Sequence, residues 1–256
     1  MAGSKGTLAV FAALSAEQRY IQRHLKDLER TQVDGFPAVL GQYADRDIVL
    51  CRCGLGQRAL AVAEAVFARY SPYSALSFGL AGAIVGSLKG GDILLCESVY
   101  LYEADGKGGQ AVESEGPLLA LAEAAAQRSG LTYRMGSSVT VPQVVGRPAE
   151  KEAVAARFPA QVVEMESYWL GQAARQQGIP FLAVRAVSDT AGDPVPDAAG
   201  LVDDSGALHW GRLALYLGAH PGSVFPLVKL ARNSLRAGRN LSAFAGEFLS
   251  LWSRPQ

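Results

Sequence analysis

The residues from Gln161 to Asp193, QVVEMESYWLGQAARQQGIPFLAVRAVSDTAGD, carry the pattern of a strand, a helix and a second strand. The alternation of polar and apolar residues around Glu164 and Glu166 predicts a strand with both glutamates on one face. A helix is predicted over 168–177, and the unbroken apolar run 181–187 predicts a strand buried on both faces. This unit predicts an α/β fold.

Carboxylates follow both predicted strands. Glu166 ends the first, and Ser188 and Asp189 follow the second. Because ligands collect outside the carboxyl ends of strands in open α/β sheets, Glu166 and Asp189 are predicted to face one crevice. Each also has a structural interpretation, since Glu166 can begin a helix and Asp189 can cap a turn. Arg185 favours a site, because a buried guanidinium needs an anionic partner, either Glu164 or Glu166.

The composition bounds the class of protein. The 256 residues, 49% of them hydrophobic, suit one α/β domain over 1–256, with a core of about 7–200 and a helical extension of about 205–256. Lys plus Arg equals Asp plus Glu at 24 each, which predicts no nucleic-acid partner. The three cysteines fit neither a disulfide framework nor a metal site. Without a signal peptide or a long apolar run, we expect a cytoplasmic protein.

The rest of the chain alternates between the two patterns. Strands are predicted over 7–14, 46–53, 75–79, 92–100 and 131–141, and helices over 16–28, 57–70, 117–128 and 148–157. Glu17 falls in the first turn of the first helix, where a carboxylate offsets the helix dipole. The glycines between Gly79 and Gly91 predict a loop beside Glu166, and 141–146 an apolar loop that lines a pocket.

A glycine turn, Gly54-x-Gly56, follows the strand predicted over 46–53. Strand, turn and helix in this order are a weak signal for anion binding by backbone N–H groups. Ala59 replaces the third glycine of the dinucleotide motif. The sequence therefore predicts no NAD site and no other cofactor.

The C-terminal fifth of the chain is cationic, since Ser205–Gln256 holds six basic residues and one acid. It predicts three helical segments, 208–217, 224–235 and 241–252. In the last one, apolar residues recur at helical spacing: Leu241, Phe244, Ala245, Phe248 and Trp252. Such a stripe either packs on its own domain or lies on anionic lipid as an interfacial helix.

Several segments taken together resemble the purine nucleoside phosphorylase and nucleosidase superfamily, above all 5′-methylthioadenosine/S-adenosylhomocysteine nucleosidase. They are VVEMES at 162–167, GIPFLAVRAVSD at 178–189, and FGLAGA followed by LKGGDILL within 78–95. The match covers about 7–193. It implies a three-layer single domain with a mixed central sheet flanked by helices, a small-molecule nucleoside as ligand, and a homo-oligomer.

The resemblance also implies roles for single residues. Glu166 matches the glutamate that holds the ribose hydroxyls, and Met165 the methionine beneath the sugar. Asp189, supported by Ser188, matches the acid that protonates the purine. Glu17 matches the glutamate that positions the attacking water. These residue types suit the reaction, because an oxocarbenium-like state needs negative charge near the sugar and a proton on the departing base.

The residues expected to line the binding site of the nucleobase and the nucleophile depart from the family pattern. We assign to this site Gly79, Leu80, Ala81, Gly82, Val141 and Val144. Leu80 stands where the family usually has serine, and Ser77 where its phosphorylases have an arginine for phosphate. Arg52 and Arg58 are the obvious substitute cations. These residues favour water over phosphate as the nucleophile.

The C-terminal segment favours another branch of this superfamily. FGLAGA and ARNSLRAGRNLSAFAGEFL resemble the hopanoid-associated phosphorylases, which implies a lipid-linked nucleoside, phosphate as co-substrate and peripheral contact with the inner membrane. The first hypothesis is therefore cleavage of an adenine nucleoside with a hydrophobic 5′ substituent, in hopanoid biosynthesis. The alternatives are a methylthioadenosine/adenosylhomocysteine-type nucleosidase and a non-catalytic nucleoside-binding or membrane-docking protein. Retention of Glu17, Glu166 and Asp189 favours an enzyme.

Overall fold

The computed structural model describes residues 6–103, 110–195 and 224–254. The strands in this part of the chain are β1 Leu8–Ala12, β2 Lys26–Val33, β3 Phe36–Tyr43, β4 Arg46–Arg52, β5 Ser74–Ala83, β6 Ile93–Leu101, β7 Val112–Glu113, β8 Tyr133–Thr140, β9 Val162–Glu164 and β10 Phe181–Asp189. The helices are α1 Ser15–Gln22, α2 Ala59–Tyr70, α3 Gly116–Arg128, α4 Pro148–Arg157, α5 Ser167–Gln176 and α6 Val224–Trp252.

All these strands belong to one mixed sheet. β5 pairs in parallel with β10 and, through Gly82 and Ala83, antiparallel with β9. Because β10, β6, β8 and β9 also pair in that order, these strands and β5 close into a ring. β1, β4, β3 and β2 extend from β5 as an open wing, and β7 pairs with β6. β1, β5 and β10 are parallel, which brings their carboxyl ends to one edge of the sheet.

Helices cover both faces of this sheet. Along β1, Ala9 and Phe11 belong to the hydrophobic core that includes residues of α2 and α5. Leu8 and Val10 belong to the core that includes residues of α1, α3 and α6. Successive side chains of a strand point to opposite faces, so one short apolar strand contributes to both cores. The predicted layered α/β fold with a mixed central sheet is confirmed.

The C-terminal residues form one continuous helix. α6 spans Val224–Trp252, where two separate segments were predicted, and the third segment predicted over 208–217 lies outside the described residues. Position 238 within this helix is a glycine, which leaves space for Tyr20 of α1. A Cβ at position 238 would lie 2.1 Å from Tyr20 Oη. The domain bounds proposed from the sequence stay a prediction, since residues 196–223 are not described.

The apolar stripe of α6 is buried on its own domain. Its members are at most 6% exposed: Leu241, Phe244, Ala245, Phe248 and Trp252. Trp252 Nε1 also donates a hydrogen bond to Ser74 Oγ of β5 (3.2 Å). The core interpretation of this stripe is confirmed, and the lipid interpretation of the same residues is wrong. In the described part of the chain, no helix has both the length and the apolar character needed to cross a membrane.

Two predictions in the first hundred residues are wrong. The helix predicted over 16–28 ends at Gln22, and the hairpin of β2 and β3 follows it. The strand predicted over 75–79 continues to Ala83, so Gly79 and Gly82 lie within β5 rather than in a loop. The other predicted strands and helices shift by a few residues at most, and α4 has the predicted bounds.

Candidate active site

A crevice with a volume of about 200 Å³ opens where β5, β9 and β10 end. It brings together predicted site residues from distant parts of the chain: Glu17, Leu80, Ala81, Gly82, Val141, Val144, Glu164, Met165, Glu166, Ser188 and Asp189. The other two, Gly79 and Arg185, line a smaller cavity that shares Glu17 and Glu166 with the crevice. The predicted residues therefore meet in one place.

Glu17 lies in the first turn of α1, and two backbone N–H groups hold its carboxylate. Leu14 N donates to Oε2 (3.0 Å), the capping contact expected of an acid at this position. Leu80 N of β5 donates to Oε1 (2.8 Å). Gly79 permits this approach, because a Cβ there would lie 2.7 Å from Oε1. Burial raises the pKa of Glu17 above its ordinary value, against the effect of both N–H groups, which suits a proton acceptor.

Glu166 is the residue that precedes α5, whereas β9 ends at Glu164. The prediction that both glutamates lie on one face of a strand is therefore wrong. Gly56 N donates to Glu166 Oε1 (3.2 Å), so the Gly54-x-Gly56 turn binds a carboxylate of the chain itself. Burial, and then repulsion from Glu164, raise the pKa of Glu166 to about 8, although Arg185 opposes this.

Arg185 and Glu164 form a buried ion pair, with Nη2 2.8 Å from Oε2. The sequence left open whether Glu164 or Glu166 pairs with Arg185, and the structure shows that Glu164 does. Its Oε2 also accepts the backbone N–H groups of Glu166 (3.0 Å) and Ser167 (2.7 Å) at the start of α5. Burial disfavours its charge, but Arg185 and these hydrogen bonds outweigh burial, and the pKa of Glu164 is lowered. The ion pair therefore anchors the backbone that carries Glu166.

A cavity of about 10 Å³ lies beside this ion pair, lined among others by Glu17, Glu166 and Arg185. A volume on the order of 10–15 Å³ holds one water molecule. Arg185 Nε is buried and has no hydrogen-bond partner among the described residues. A water in this cavity would meet a donor as well as two carboxylates.

The cations proposed as substitutes for a phosphate-binding arginine are engaged elsewhere. Arg52 Nη1 donates to Ser15 Oγ (2.6 Å), and the guanidinium of Arg58 lies over the ring of Phe36. Ser77 is buried, and its Oγ accepts a hydrogen bond from Arg185 Nη2 (2.7 Å). The residues that line the crevice and the small cavity include neither Arg52 nor Arg58.

Asp189, the last residue of β10, lies at the opposite side of the site from Glu17 and is 6% exposed. Ser188 Oγ lies 2.7 Å from Asp189 Oδ1 and 3.2 Å from the carbonyl oxygen of Ala81, and it can donate to either. Gly82 leaves room for the carboxyl group, because a Cβ there would lie 2.8 Å from Oδ2. The two glycines of Gly79-Leu80-Ala81-Gly82 thus each make space for one carboxyl group.

Lys151 of α4 is the site residue that the sequence analysis missed. It is 0% exposed, and its Nζ lies 2.5 Å from Asp189 Oδ2. A signal was present, because Lys151, Val154 and Phe158 share one helix face at i, i+3 and i+7. A lysine on an apolar, buried face needs an anionic partner.

The remaining wall of the crevice is apolar. Val141 and Leu80 are largely buried in it, and Met165 lies between the two glutamates in sequence. At the mouth, Leu55 and Val144 are 53% and 66% exposed. Exposed apolar side chains around a polar centre suit a ligand with an apolar part that extends outward.

The chemistry that this arrangement offers is proton transfer at two ends of one crevice. Glu17 and Glu166 line both the crevice and the small cavity, which defines one end, whereas Asp189 lines the crevice without the small cavity and lies at the other. No cluster of three or more His, Cys, Asp or Glu side chains in the described ranges is placed to hold a metal ion. Burial raises the pKa of the Cys51 and Cys96 thiols to about 12, so both stay protonated.

Comparison with known proteins identifies the family. The family model of the phosphorylase superfamily matches residues 7–209. The 5′-methylthioadenosine/S-adenosylhomocysteine nucleosidase of Staphylococcus aureus (strain JH9) is 28% identical over 197 residues, which are 72% of this chain and 86% of the relative.

Solved structures share the fold. That of the same kind of nucleosidase from Neisseria meningitidis, in complex with methylthio-immucillin-A, has a TM-score of 0.76 at 19% identity and covers 95% of this chain and 98% of that chain. Futalosine hydrolase of Helicobacter pylori strain 26695 has a TM-score of 0.76 at 17% identity and covers 96% and 97%. The prediction of an enzyme of this group is confirmed, and the chain belongs to the phosphorylase superfamily.

Proposed function

We propose that the protein cleaves the N-glycosidic bond of an adenine nucleoside with water as the nucleophile. The observation that carries this proposal is the meeting of Glu17, Glu166 and Asp189 in one crevice of about 200 Å³. The relatives named as nucleosidases and hydrolases support it, since they share the fold or part of the sequence.

Glu166 is the group proposed to hold the ribose. A carboxylate can accept hydrogen bonds from two vicinal hydroxyls through its two oxygens. In its ionised form, which a positive charge on the sugar favours, this group also stabilises the oxocarbenium-like sugar as the glycosidic bond breaks. Gly56 N and the ion pair of Arg185 with Glu164 fix the position of this carboxylate.

Asp189 is the proposed general acid. As the bond between the sugar and the base breaks, its electron pair goes to the purine, and Asp189 gives the purine a proton. Ser188 orients the carboxyl group through the contact with Oδ1 (2.7 Å). Position at the end of a strand, rather than on a long loop, keeps this geometry fixed.

The small cavity supports water as the nucleophile. Its volume of about 10 Å³ suits one water molecule and is too small for a phosphate ion. Glu17, whose pKa is raised by burial, would accept the proton of that water as it attacks the sugar. A phosphate site would need cationic donors, and Arg52 is instead hydrogen bonded to Ser15.

The 5′ substituent of the substrate is proposed to be apolar, because Leu55 and Val144 are exposed apolar residues that line the crevice. A thioether such as that of methylthioadenosine meets this requirement. The exposure of Leu55 (53%) and Val144 (66%) also favours a second candidate, a bulky hopane-linked adenosine cleaved with phosphate as acceptor. The sequence resemblance to the hopanoid-associated phosphorylases is the other support for this second candidate.

Contact with a membrane surface stays a proposal and now rests on different residues. On the first half of α6, Phe225, Val228 and Leu235 are 77%, 61% and 61% exposed. Arg232 and Arg239 are exposed on the same part of the helix, which suits an anionic bilayer. Phe225→Ser should then weaken sedimentation with vesicles that contain phosphatidylglycerol. Equal sedimentation with purely zwitterionic vesicles, or none with either, would contradict the proposal. The homo-oligomer also stays a prediction.

The test of the reaction is adenine release from 5′-methylthioadenosine and from a hopane-linked adenosine, each with and without phosphate. We expect phosphate-independent release, free ribose derivative as the second product, and a loss of about 10²–10⁴-fold in Asp189→Asn. Asp47→Asn, an exposed aspartate on β4, is the matched control. Release that requires phosphate would contradict the hydrolase and support the second candidate. Unchanged activity of Asp189→Asn would overturn the assigned acid.

A further inference from the structure

Lys151 is fully buried, although lysine is among the residues least often found without solvent contact. Its Nζ donates to Asp189 Oδ2 (2.5 Å), to the carbonyl oxygen of Thr190 (2.8 Å) and to that of Asp193 (3.2 Å). A charged lysine has three N–H donors and no acceptor. Three acceptors therefore match the three donors of the ammonium group, and these contacts fix the side chain on the exit of β10.

The fold alone does not account for this lysine. A leucine or methionine at position 151 would extend the apolar face formed by Val154 and Phe158 without the cost of burying a charge. The exit of β10 also has a second attachment, because Lys229 of α6 forms an ion pair with Asp193 Oδ1 (2.5 Å). Of these two lysines, Lys151 is the one that contacts the carboxyl group of Asp189 itself.

We propose that Lys151 is a positioning residue for the general acid, an inference that rests on the proposed function. The bond between the sugar and N9 of the purine breaks, its electron pair goes to the purine, and the proton of the Asp189 carboxyl group goes to a purine nitrogen. Asp189 is left as a carboxylate, and its Oδ2 then lies against the ammonium group of Lys151. The charge that appears on Asp189 during proton transfer is thereby stabilised where it develops.

A positioning role and a purely structural role of Lys151 predict different kinetic effects when the lysine is removed. The ammonium group stabilises the transferred state rather than the bound substrate, so its loss lowers kcat with little change in KM. It acts through proton donation to the leaving group. A leaving group that departs as a stable anion needs no such proton, and its departure should not depend on Lys151.

The experiment compares Lys151→Met with the wild type on two substrates. One is the adenine nucleoside, and the other is a riboside with the same 5′ substituent and 4-nitrophenolate as leaving group. We expect kcat for adenine release to fall on the order of 10²-fold. Release of 4-nitrophenolate should change by less than about threefold, because that anion needs no acid. Lys229→Met, which removes the other lysine on the same segment, is the matched control and should change both rates by less than about threefold.

Equal losses on the two substrates would overturn the proposal, since a merely structural lysine predicts them. A wild type that releases no adenine would overturn the proposed function and this inference with it. Should Lys151→Met not fold, the double variant Asp189→Asn/Lys151→Met removes the carboxyl group and the ammonium group together and is compared with Asp189→Asn alone. The rates of 4-nitrophenolate release by the double variant and by Asp189→Asn should then agree within about twofold, because Lys151 acts through Asp189. A further loss of tenfold or more in the double variant would overturn the proposal.

Discussion

The two ends of the crevice differ in the number of cations that accompany their buried carboxyl groups. At the end proposed to bind the sugar, called here the sugar end, Glu17, Glu164 and Glu166 lie around one described cation, Arg185. At the end proposed to bind the base, called the base end, a single carboxyl group, Asp189, is paired with a single ammonium group, Lys151. The sugar end therefore holds more carboxyl groups than cations, whereas the base end is balanced.

The consequence appears in the pKa values of the sugar end. Glu164 has Arg185 as its partner, and its pKa is lowered. No cation in the described part of the chain forms an ion pair with Glu166 or Glu17, and burial raises the pKa of both. An excess of carboxyl groups suits the end where a cationic sugar forms and a proton is accepted. A carboxyl group with an ammonium group beside it suits the end that must give up one proton, because the ammonium group stabilises the carboxylate left behind.

The largest effect should come from Glu17→Gln, which removes the proton acceptor of the sugar end. We expect kcat to fall by about 10²–10⁴-fold. Because water must attack whichever group leaves, release of adenine and of 4-nitrophenolate should fall together, unlike the pattern expected for Lys151→Met. Glu64→Gln, an exposed glutamate on α2, is the matched control for steady-state kinetics. A loss restricted to adenine would contradict the division of the two ends.

Arg185→Met tests whether the sugar end depends on its one cation. Removal of one partner from a buried ion pair leaves the other charge unpaired, and we expect a loss of about 3–5 kcal/mol in the free energy of unfolding. Chemical denaturation measures it. The double variant Glu164→Gln/Arg185→Met should be more stable than Arg185→Met alone, because no unpaired carboxylate remains. A loss below about 1 kcal/mol would show that the pair contributes as little as a surface ion pair.

Glu166→Gln should reveal the raised pKa of Glu166 as a pH dependence of stability. The pKa is about 8 in the folded protein against an ordinary value of 4.5, so the folded state holds a proton that the unfolded state releases. This contribution to stability is complete below pH 4.5 and is lost as the pH rises towards 8. Between pH 5 and pH 8.5 the wild type should therefore lose on the order of 2–4 kcal/mol relative to Glu166→Gln.

Urea denaturation of both proteins at several pH values measures this difference. Glu29→Gln, on the exposed strand β2, controls for the loss of one carboxyl group. A constant difference between the wild type and Glu166→Gln across this pH range would contradict the raised pKa. It would also mean that the pKa values of Glu166 and its neighbour Glu164 are not shifted in opposite directions.

The sequence predicted the site better than the elements around it. Arg185 within an apolar run required an anion, and this physical requirement left Glu164 and Glu166 as candidates, of which Glu164 forms the pair. β10 was predicted because its residues 181–187 are apolar except for Arg185, and the bounds predicted for α4 are those observed. The same reasoning applied to Lys151 on the buried face of α4 would have found the partner of Asp189.

The hairpin of β2 and β3 was missed because β2 is exposed along most of its length and has no apolar alternation. Its turn was visible, since Asp34-Gly35 is a typical two-residue hairpin turn, and φ is 48° and 82° at these positions. The gap between the segments predicted over 224–235 and 241–252 contains Gly238, which instead lies within α6 where Tyr20 contacts the helix. A glycine required by a neighbouring side chain cannot be told from a helix stop by sequence alone.

The glycines of β5 were mistaken for a loop for the same reason, and they offer the finest test of the two ends. A Cβ at Gly79 would lie 2.7 Å from Glu17 Oε1, and one at Gly82 would lie 2.8 Å from Asp189 Oδ2. Each substitution to alanine should displace one carboxyl group, and displacement on the scale of 1 Å costs up to about 10²-fold in rate. We expect losses of about 10–100-fold in kcat for both Gly79→Ala and Gly82→Ala.

The two glycine variants should differ in which substrate they affect. Gly79→Ala disturbs the acceptor of the sugar end, so adenine and 4-nitrophenolate should be released more slowly to the same extent. Gly82→Ala disturbs the acid, so only adenine release should slow. Gly86→Ala is the control, because a Cβ there has no atom within 4 Å. Identical substrate patterns for Gly79→Ala and Gly82→Ala would mean that β5 couples the two ends, and that the crevice acts as one unit.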